Sequence, residues 1–250
     1  MLSVIIITKN EEEMIGDCLI SVKDLADEII VVDSGNTDKT NEIAKSFGAK
    51  IIKTKSTNYS EFRNAGLKAA TGDWILYVDA DERVSPQLRL EIKNTTVPGV
   101  YQIPRKNIYL GKEMRFGGWG NDKVIRLFYK KFLKEYQGEL HEQPIFDGQL
   151  RTMNHELIHH SHRDLSSMLE KTLDFIEYEA KLRVEVNHPP IVWWRFLRVM
   201  ATEFWLRFVK LQAWRDGPRG VIDGIFQIFN MFVIYARLWE MQHEKGFTRR

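Results

Sequence analysis

A single cysteine, Cys18, stands in the 250 residues. One thiol cannot close an intramolecular disulfide, so the fold must rest on its core, and a reducing, cytoplasmic setting is the expectation. No run of eighteen uncharged apolar residues occurs, so no plain membrane-spanning helix is written into the sequence. The opening stretch, MLSVIIITKNEEE, has six mostly apolar residues at 2–7, no basic leader and acid behind it. It reads as a first strand and not as an export signal. A Walker A run and a G-x-G-x-x-G are both missing, which argues against P-loop ATPases and dinucleotide enzymes. Repeats and low-complexity tracts are missing too. The net charge is only +2, and no nucleic-acid-binding module is present, so nucleic acid is not an expected partner.

What the chain does have is 44% hydrophobic residues, enough for a sizeable core. Apolar runs alternate with helical patterns through the first eighty residues. SVIIIT precedes a helix over EEEMIGDCLISVKDL, and EIIVVD precedes one opening at Thr37 or Asp38. KIIKT precedes SEFRNAGLKAA, with Ser60 as the expected cap and Gly72 as the stop, and WILYVDA follows. This order predicts an α/β fold, a mostly parallel sheet with helices on both faces. Residues 99–160 are less regular, with GVYQIPRKNIYLG and KVIRLFYKK as antiparallel strands. From Asp164 onward the pattern is helical, broken at Pro189–Pro190.

Ligands of such sheets sit beyond the carboxyl ends of the strands. Those ends carry Thr8–Glu11, Asp33–Asp38 and Asp79–Asp81, so polar groups from three strands converge on one edge. The plain reading of Asp79 and Asp81 is two solvated acids. Their place after an apolar strand favours a Mg²⁺ or Mn²⁺ ion bridging to a diphosphate.

The motifs TKNEE at 8–12, VVDSGNTDKT at 31–40, SEFRNAGLKAATGDWILYVDADE at 60–82, RLF at 126–128 and LHE at 140–142 fall in one order. In them the sequence resembles family 2 glycosyltransferases of the GT-A fold, and within that family the bacterial lipopolysaccharide-core β-glucosyltransferases. The resemblance implies an inverting transfer of a sugar, glucose from UDP-glucose foremost, to a lipid-anchored glycan. A polyprenyl-phosphate glycosyltransferase is the alternative inside the same resemblance. It implies that Thr8, Asn10 and Glu11 line the nucleotide pocket and that Asp33 accepts from the uracil ring. Arg63 and Asn64 would border the nucleotide, Asp79 would contact the ribose or phosphate side, and Asp81 would bind the metal. Glu142 falls at the position of the base that deprotonates the acceptor hydroxyl. His141 would orient it or touch the diphosphate, and His159 is a second metal or phosphate contact. In FGGWGNDKVIRLF, Trp119 would stack on an acceptor sugar or simply pack in its loop, and Asp122 would bind sugar hydroxyls.

A rival lies in NHELIHHSH, residues 154–162, which contains a literal H-E-x-x-H. On a helix His155 and His159 would share a face for zinc, with Glu156 as base of a metallopeptidase. The flanking residues alternate as in a strand, and the peptidase leaves the acidic strand ends unexplained. His160 and His162 read as structural or solvent-facing.

The two ends of the chain differ. From Trp193 onward there are ten Lys/Arg against five Asp/Glu, and five of the seven tryptophans lie there. In VIDGIFQIFNMFVIYARLWEMQ the polar Asp223, Gln227, Asn230 and Arg237 form one stripe on a wide apolar surface. Aromatic residues beside cations fit helices lying on an anionic membrane surface, peripheral on the inner face of the plasma membrane. Helices packing on the protein are the alternative. The expected organisation is a catalytic region over 1–163, divided into a nucleotide-sugar half (1–98) and an acceptor half (99–163), then a helical membrane-associating region over 164–250.

Overall fold

The computed structural model describes the chain except residues 55, 57, 139–141, 163 and 248–250, and except the side chains of 167, 170, 171, 174 and 244–247. In chain order the first part runs β1 (Leu2–Thr8), α1 (Ile15–Val22), β2 (Glu28–Asp33), α2 (Thr40–Ser46), β3 (Lys50–Lys53), α3 (Tyr59–Ala69), β4 (Trp74–Asp79), β5 (Glu82–Val84) and α4 (Pro86–Lys93). Then come β6 (Val100–Tyr109), β7 (Lys112–Glu113), β8 (Lys123–Tyr129), β9 (Leu133–Gln137), β10 (Gln143–Phe146), β11 (Leu150–Thr152) and β12 (Leu157–His162). Three long helices follow, α5 (Leu165–Glu185), α6 (Trp193–Phe204) and α7 (Pro218–Phe247). The chain forms two compact units, one of residues 1–106 and 122–160, the other of 107–121 and 161–250.

In the first unit β3, β2, β1 and β4 are parallel neighbours. β8 continues the sheet antiparallel to β4, and β6 lies beyond it. The mostly parallel sheet carried between helices is the α/β, GT-A-type arrangement that the resemblance implied. Alternation along the strands explains why helices cover both faces. Ile5, Ile30, Val32, Ile75 and Tyr77 point to one side, where Phe62 of α3 packs. Val4, Ile6, Val31, Leu76 and Val78 point to the other, where Ile15, Cys18, Leu19 and Val22 of α1 and Leu88 of α4 meet them. Strands buried on both faces need an almost unbroken apolar run, which is what β1 and β4 supply. Cys18 is completely buried, its Sγ 3.5 Å from the Asp79 carbonyl, and burial pushes its thiol well above the ordinary range. α3 rests close on the sheet because of Gly66: a Cβ there would lie 2.4 Å from Cγ2 of Ile5.

The helix ends differ from the expected ones. α2 opens at Thr40 and not at Thr37 or Asp38; the Asp38 carboxylate accepts from the Thr40 N–H at 3.0 Å. The cap of α3 is Asn58, whose Oδ1 accepts from the Ser60 N–H at 2.9 Å. That helix ends at Ala69, and Gly72 lies in the turn after it.

In the second unit α7 packs against α5 and α6. Ala180, Ile191 and Leu238 are the buried centre of that packing. α6 runs directly into a π-helical turn, Trp205–Lys210. The stripe of α7 turns inward: Asp223 and Asn230 are buried, and Arg237 meets Glu177 of α5 at 2.8 Å. Pro218–His243 is long and apolar enough to cross a membrane by length and composition, with a mean hydropathy of 1.4 and a third of its most apolar window buried.

Candidate active site

Three neighbouring strands end together. In register, Thr8 of β1 stands beside Asp33 of β2, and Ile7 of β1 beside Asp79 of β4. The apolar strands stop where the first acids and hydroxyls begin, so the pattern of each run sets the position of its last residue.

Asp33 organises the turn that follows it. Its Oδ1 accepts from the N–H groups of Gly35 (2.9 Å) and Asn36 (2.7 Å), and its Oδ2 from Asn41 Nδ2 (2.7 Å). Gly35 takes a φ of +115°, open to glycine at little cost. Burial works against ionisation of Asp33, but these donors outweigh it and hold the carboxyl below its ordinary value. Asn36 donates to Thr8 Oγ1 at 2.8 Å and accepts from the Asn10 N–H at 2.7 Å. Asn10, at φ 56°, returns an acceptor to Thr37 N at 2.8 Å, and the Glu11 N–H donates to Thr40 Oγ1 at 2.8 Å. Thr8, Asn10 and Asp33 are thus joined in one network through Asn36 and Asn41, while Glu11 is tied separately to Thr40 at the start of α2.

On the other side of β1 the charges alternate. Arg63 of α3, 5% exposed, donates to Glu142 Oε1 through Nε (2.8 Å), with Nη2 in an ion pair 2.7 Å from the same oxygen, and Nη2 donates to Asp79 Oδ1 at 3.3 Å. Asp79 Oδ2 pairs tightly with Arg126 of β8. Arg126 lies 3.5 Å from Glu82, which is completely buried and also accepts from the Asp79 N–H at 3.0 Å. Glu82 meets Arg105 at 3.3 Å, and Arg105 meets Asp122 at 2.7 Å. Burial alone would raise the Asp79 pKa; Arg126 and Arg63, with smaller help from His159 and Arg105, hold it well below the usual carboxylate range. Asn64, next to Arg63, exchanges two hydrogen bonds with the backbone of Tyr136 (2.9 and 2.8 Å) and so fastens α3 to β9.

Asp81 lies just past β4. Its Oδ2 is 3.6 Å from His159 Nε2, because β12 pairs with β5 and sets His159 opposite Glu82. The Asp81 carboxylate is the kind of oxygen ligand that Mg²⁺ or Mn²⁺ favours, and His159 would stand beside such an ion. Among the described residues no group of three or more His, Cys, Asp or Glu is gathered for a metal.

The H-E-x-x-H reading is corrected here. His155 lies in a bend and His159 on a strand, not on one helix face. Their imidazoles engage separate carboxylates: His155 Nδ1 is 2.8 Å from Glu91, and His159 faces Asp81. Trp119 belongs to the second unit. It packs against Tyr109 with ring centres 6.0 Å apart, and its indole N–H donates to Asp223 at 2.9 Å. His141 lies outside the described residues.

Arg126, Glu82, Arg105 and Tyr136 escape a reading of the sequence. A signal existed for one of them: Arg126 is a charge inside the apolar run KVIRLFY, and an arginine seldom sits in a strand core without a partner. A surface concavity of about 650 Å³ lies beside α3 and β9 but takes in none of the acids of this edge.

A model of the family described as Glycosyl transferase family 2 matches residues 3–160. An uncharacterized glycosyltransferase of Rickettsia typhi is 29% identical, with 96% of this chain and 87% of that protein covered. The lipopolysaccharide core biosynthesis glycosyltransferase LpsC of Rhizobium meliloti is 24% identical, with 96% and 92% covered. Among solved structures, glucosyl-3-phosphoglycerate synthase of Mycobacterium tuberculosis is 26% identical over 44% of each chain, with a TM-score of 0.36; this chain spans less than half of that enzyme. The family match runs across more than half of the sequence and takes in every acid of the strand-end edge, and the chain is a member of glycosyl transferase family 2.

Proposed function

We propose that the chain moves a hexose, glucose foremost, from a UDP-sugar to a lipid-anchored glycan such as lipopolysaccharide core, with inversion. The observation that carries this reading is the edge where Asp33, Thr8 and Asp79 end adjacent strands while Arg63 ties Asp79 to Glu142. Thr8, Asn10, Glu11 and Asp33 would take the nucleoside, and Asp79 the ribose or phosphate side. Asp81 and His159 would hold Mg²⁺ or Mn²⁺. When bound, the ion supplies positive charge to the departing diphosphate. Glu142 takes the proton of the acceptor hydroxyl, with Asp122 on the acceptor side.

The acceptor assignment draws on the name of the Rhizobium meliloti relative and on α6. Trp193, Leu197 and Phe204 are exposed on α6, opposite the buried Val199. The guanidinium groups of Arg195 and Arg198 stand 5.0 and 5.3 Å from the Trp194 ring centre. The one acid of α6, Glu203, is turned into a pair with Arg207 at 2.6 Å. An aromatic, arginine-flanked face free of unpaired acid complements anionic lipid headgroups. This face would seat the protein peripherally on the inner membrane surface.

Calorimetric titration with UDP, with and without Mn²⁺, tests the donor site. Binding that strengthens with Mn²⁺ and loses that gain in Asp81→Ala is expected; no binding under either condition ends the proposal. Glu142→Gln should lose transfer by at least about 100-fold while UDP affinity stays. Robust turnover in that variant removes Glu142 from the base role.

A further inference from the structure

A base works only if it is aimed. We propose that Arg63 is the positioning residue for Glu142, gripping one carboxylate oxygen so that the other stays turned to the acceptor hydroxyl. This rests on the assignment of Glu142 as the base. Both recorded contacts, from Nε at 2.8 Å and Nη2 at 2.7 Å, fall on the same oxygen, Oε1. Among the described residues no donor is bonded to Oε2. A base oriented by a third group is the logic of catalytic triads in general.

The grip is rigid because Arg63 is itself held from several directions. Asp79 Oδ1 meets its Nη2 at 3.3 Å, and Asp79 is in turn anchored by Arg126. The rings of Tyr77 and Tyr136 lie 5.5 and 5.3 Å from the guanidinium carbon, and the Tyr77 hydroxyl donates to the Arg63 carbonyl at 3.0 Å. The helix beneath is fixed as well. Gly66, less than one turn on, lets α3 lie on Ile5, and Asn64 clips α3 to the backbone of Tyr136. Of the guanidinium nitrogens, Nε and Nη2 are committed to the base and to Asp79.

Arg63→Gln and Arg63→Lys, made in the full chain, separate the two roles by kcat and by UDP affinity. Arg63→Gln should lower kcat by about 100-fold, the cost of a misplaced catalytic group, with UDP affinity within about threefold of wild type. Lysine keeps the charge but donates from a single point, so Arg63→Lys should recover part of the loss and remain about tenfold down. Should Arg63→Gln fail to fold in a thermal melt, the lysine variant decides on the same two readouts. A fall of UDP affinity in parallel with kcat overturns the proposal, because Arg63 then serves the nucleotide. So does a kcat within about threefold of wild type in either folded variant. Glu142→Gln keeps the outcomes apart. If it still turns over, the base assignment falls and this inference falls with it. If it is dead while the Arg63 variants work, only the positioning role is lost.

Discussion

Asp79 is the residue on which most of the electrostatics turns. Its carboxylate pairs with Arg126 and Arg63, and its own backbone N–H donates to Glu82. Its pKa is depressed in the folded protein, so its contribution to stability is present above the unfolded value, about 3.9, and is lost as pH falls toward the folded value. Asp79→Asn should therefore destabilise at neutral pH, by about 3 kcal/mol for a broken buried pair. It should also flatten the fall in stability below about pH 4, read by urea denaturation across pH. A variant with the wild-type slope contradicts this. At this scale Asp33 and Asp79 stood out in the sequence, since each closes an apolar run whose end fixes its place, whereas Glu82 did not and Glu142 was marked only by the resemblance. The arginines were not legible. By its local pattern alone Arg63 reads as a solvated helix residue, and only the resemblance sets it beside the nucleotide; its partners come from positions 79 and 142, which no local pattern links.

For elements, α3 is the one whose seating controls the site. Its approach to the sheet depends on Gly66, so Gly66→Val forces atoms into Ile5 and should cost about 1–3 kcal/mol in urea denaturation. Because α3 carries Arg63, the same variant should lose more kcat than UDP affinity. Asn58→Ala, which removes the cap, should cost about 1 kcal/mol with the site left in place. The cap was misplaced in the sequence reading by two residues, since Asn58 and Ser60 are both good caps and only the extended backbone at Asn58 decides between them. α6 has its own test. Arg195→Ala with Arg198→Ala should weaken sedimentation with anionic vesicles by about 2 kcal/mol, near thirtyfold, and leave UDP binding unchanged. Full-length protein that never sediments with anionic vesicles removes the membrane proposal.

On the scale of the molecule, the alternating strands and helices of residues 1–98 announced their own order, because parallel units are built from neighbours in sequence. The antiparallel part did not. β5 finds β12 more than seventy residues later, and that pairing is what brings His159 to Asp81. The second unit also gathers residues 107–121 with 161–250, with the Asp216 carboxylate accepting from the N–H groups of Arg115 and Phe116 at 2.9 and 2.8 Å. Such long-range capping leaves no trace in local periodicity. α7 shows the limit of composition: its length and hydropathy suit a bilayer, yet Asp223 and Asn230 lie buried in the protein.

The lone cysteine has a practical corollary. Cys18 is sealed between α1 and the sheet, and no other thiol competes for reagent. A maleimide or disulfide dye should leave the native protein unmarked and capture only those moments when α1 lifts away. The labelling rate then serves as a clock for the lifting of α1 from the sheet, and under the proposed donor site UDP should slow it without any engineered reporter.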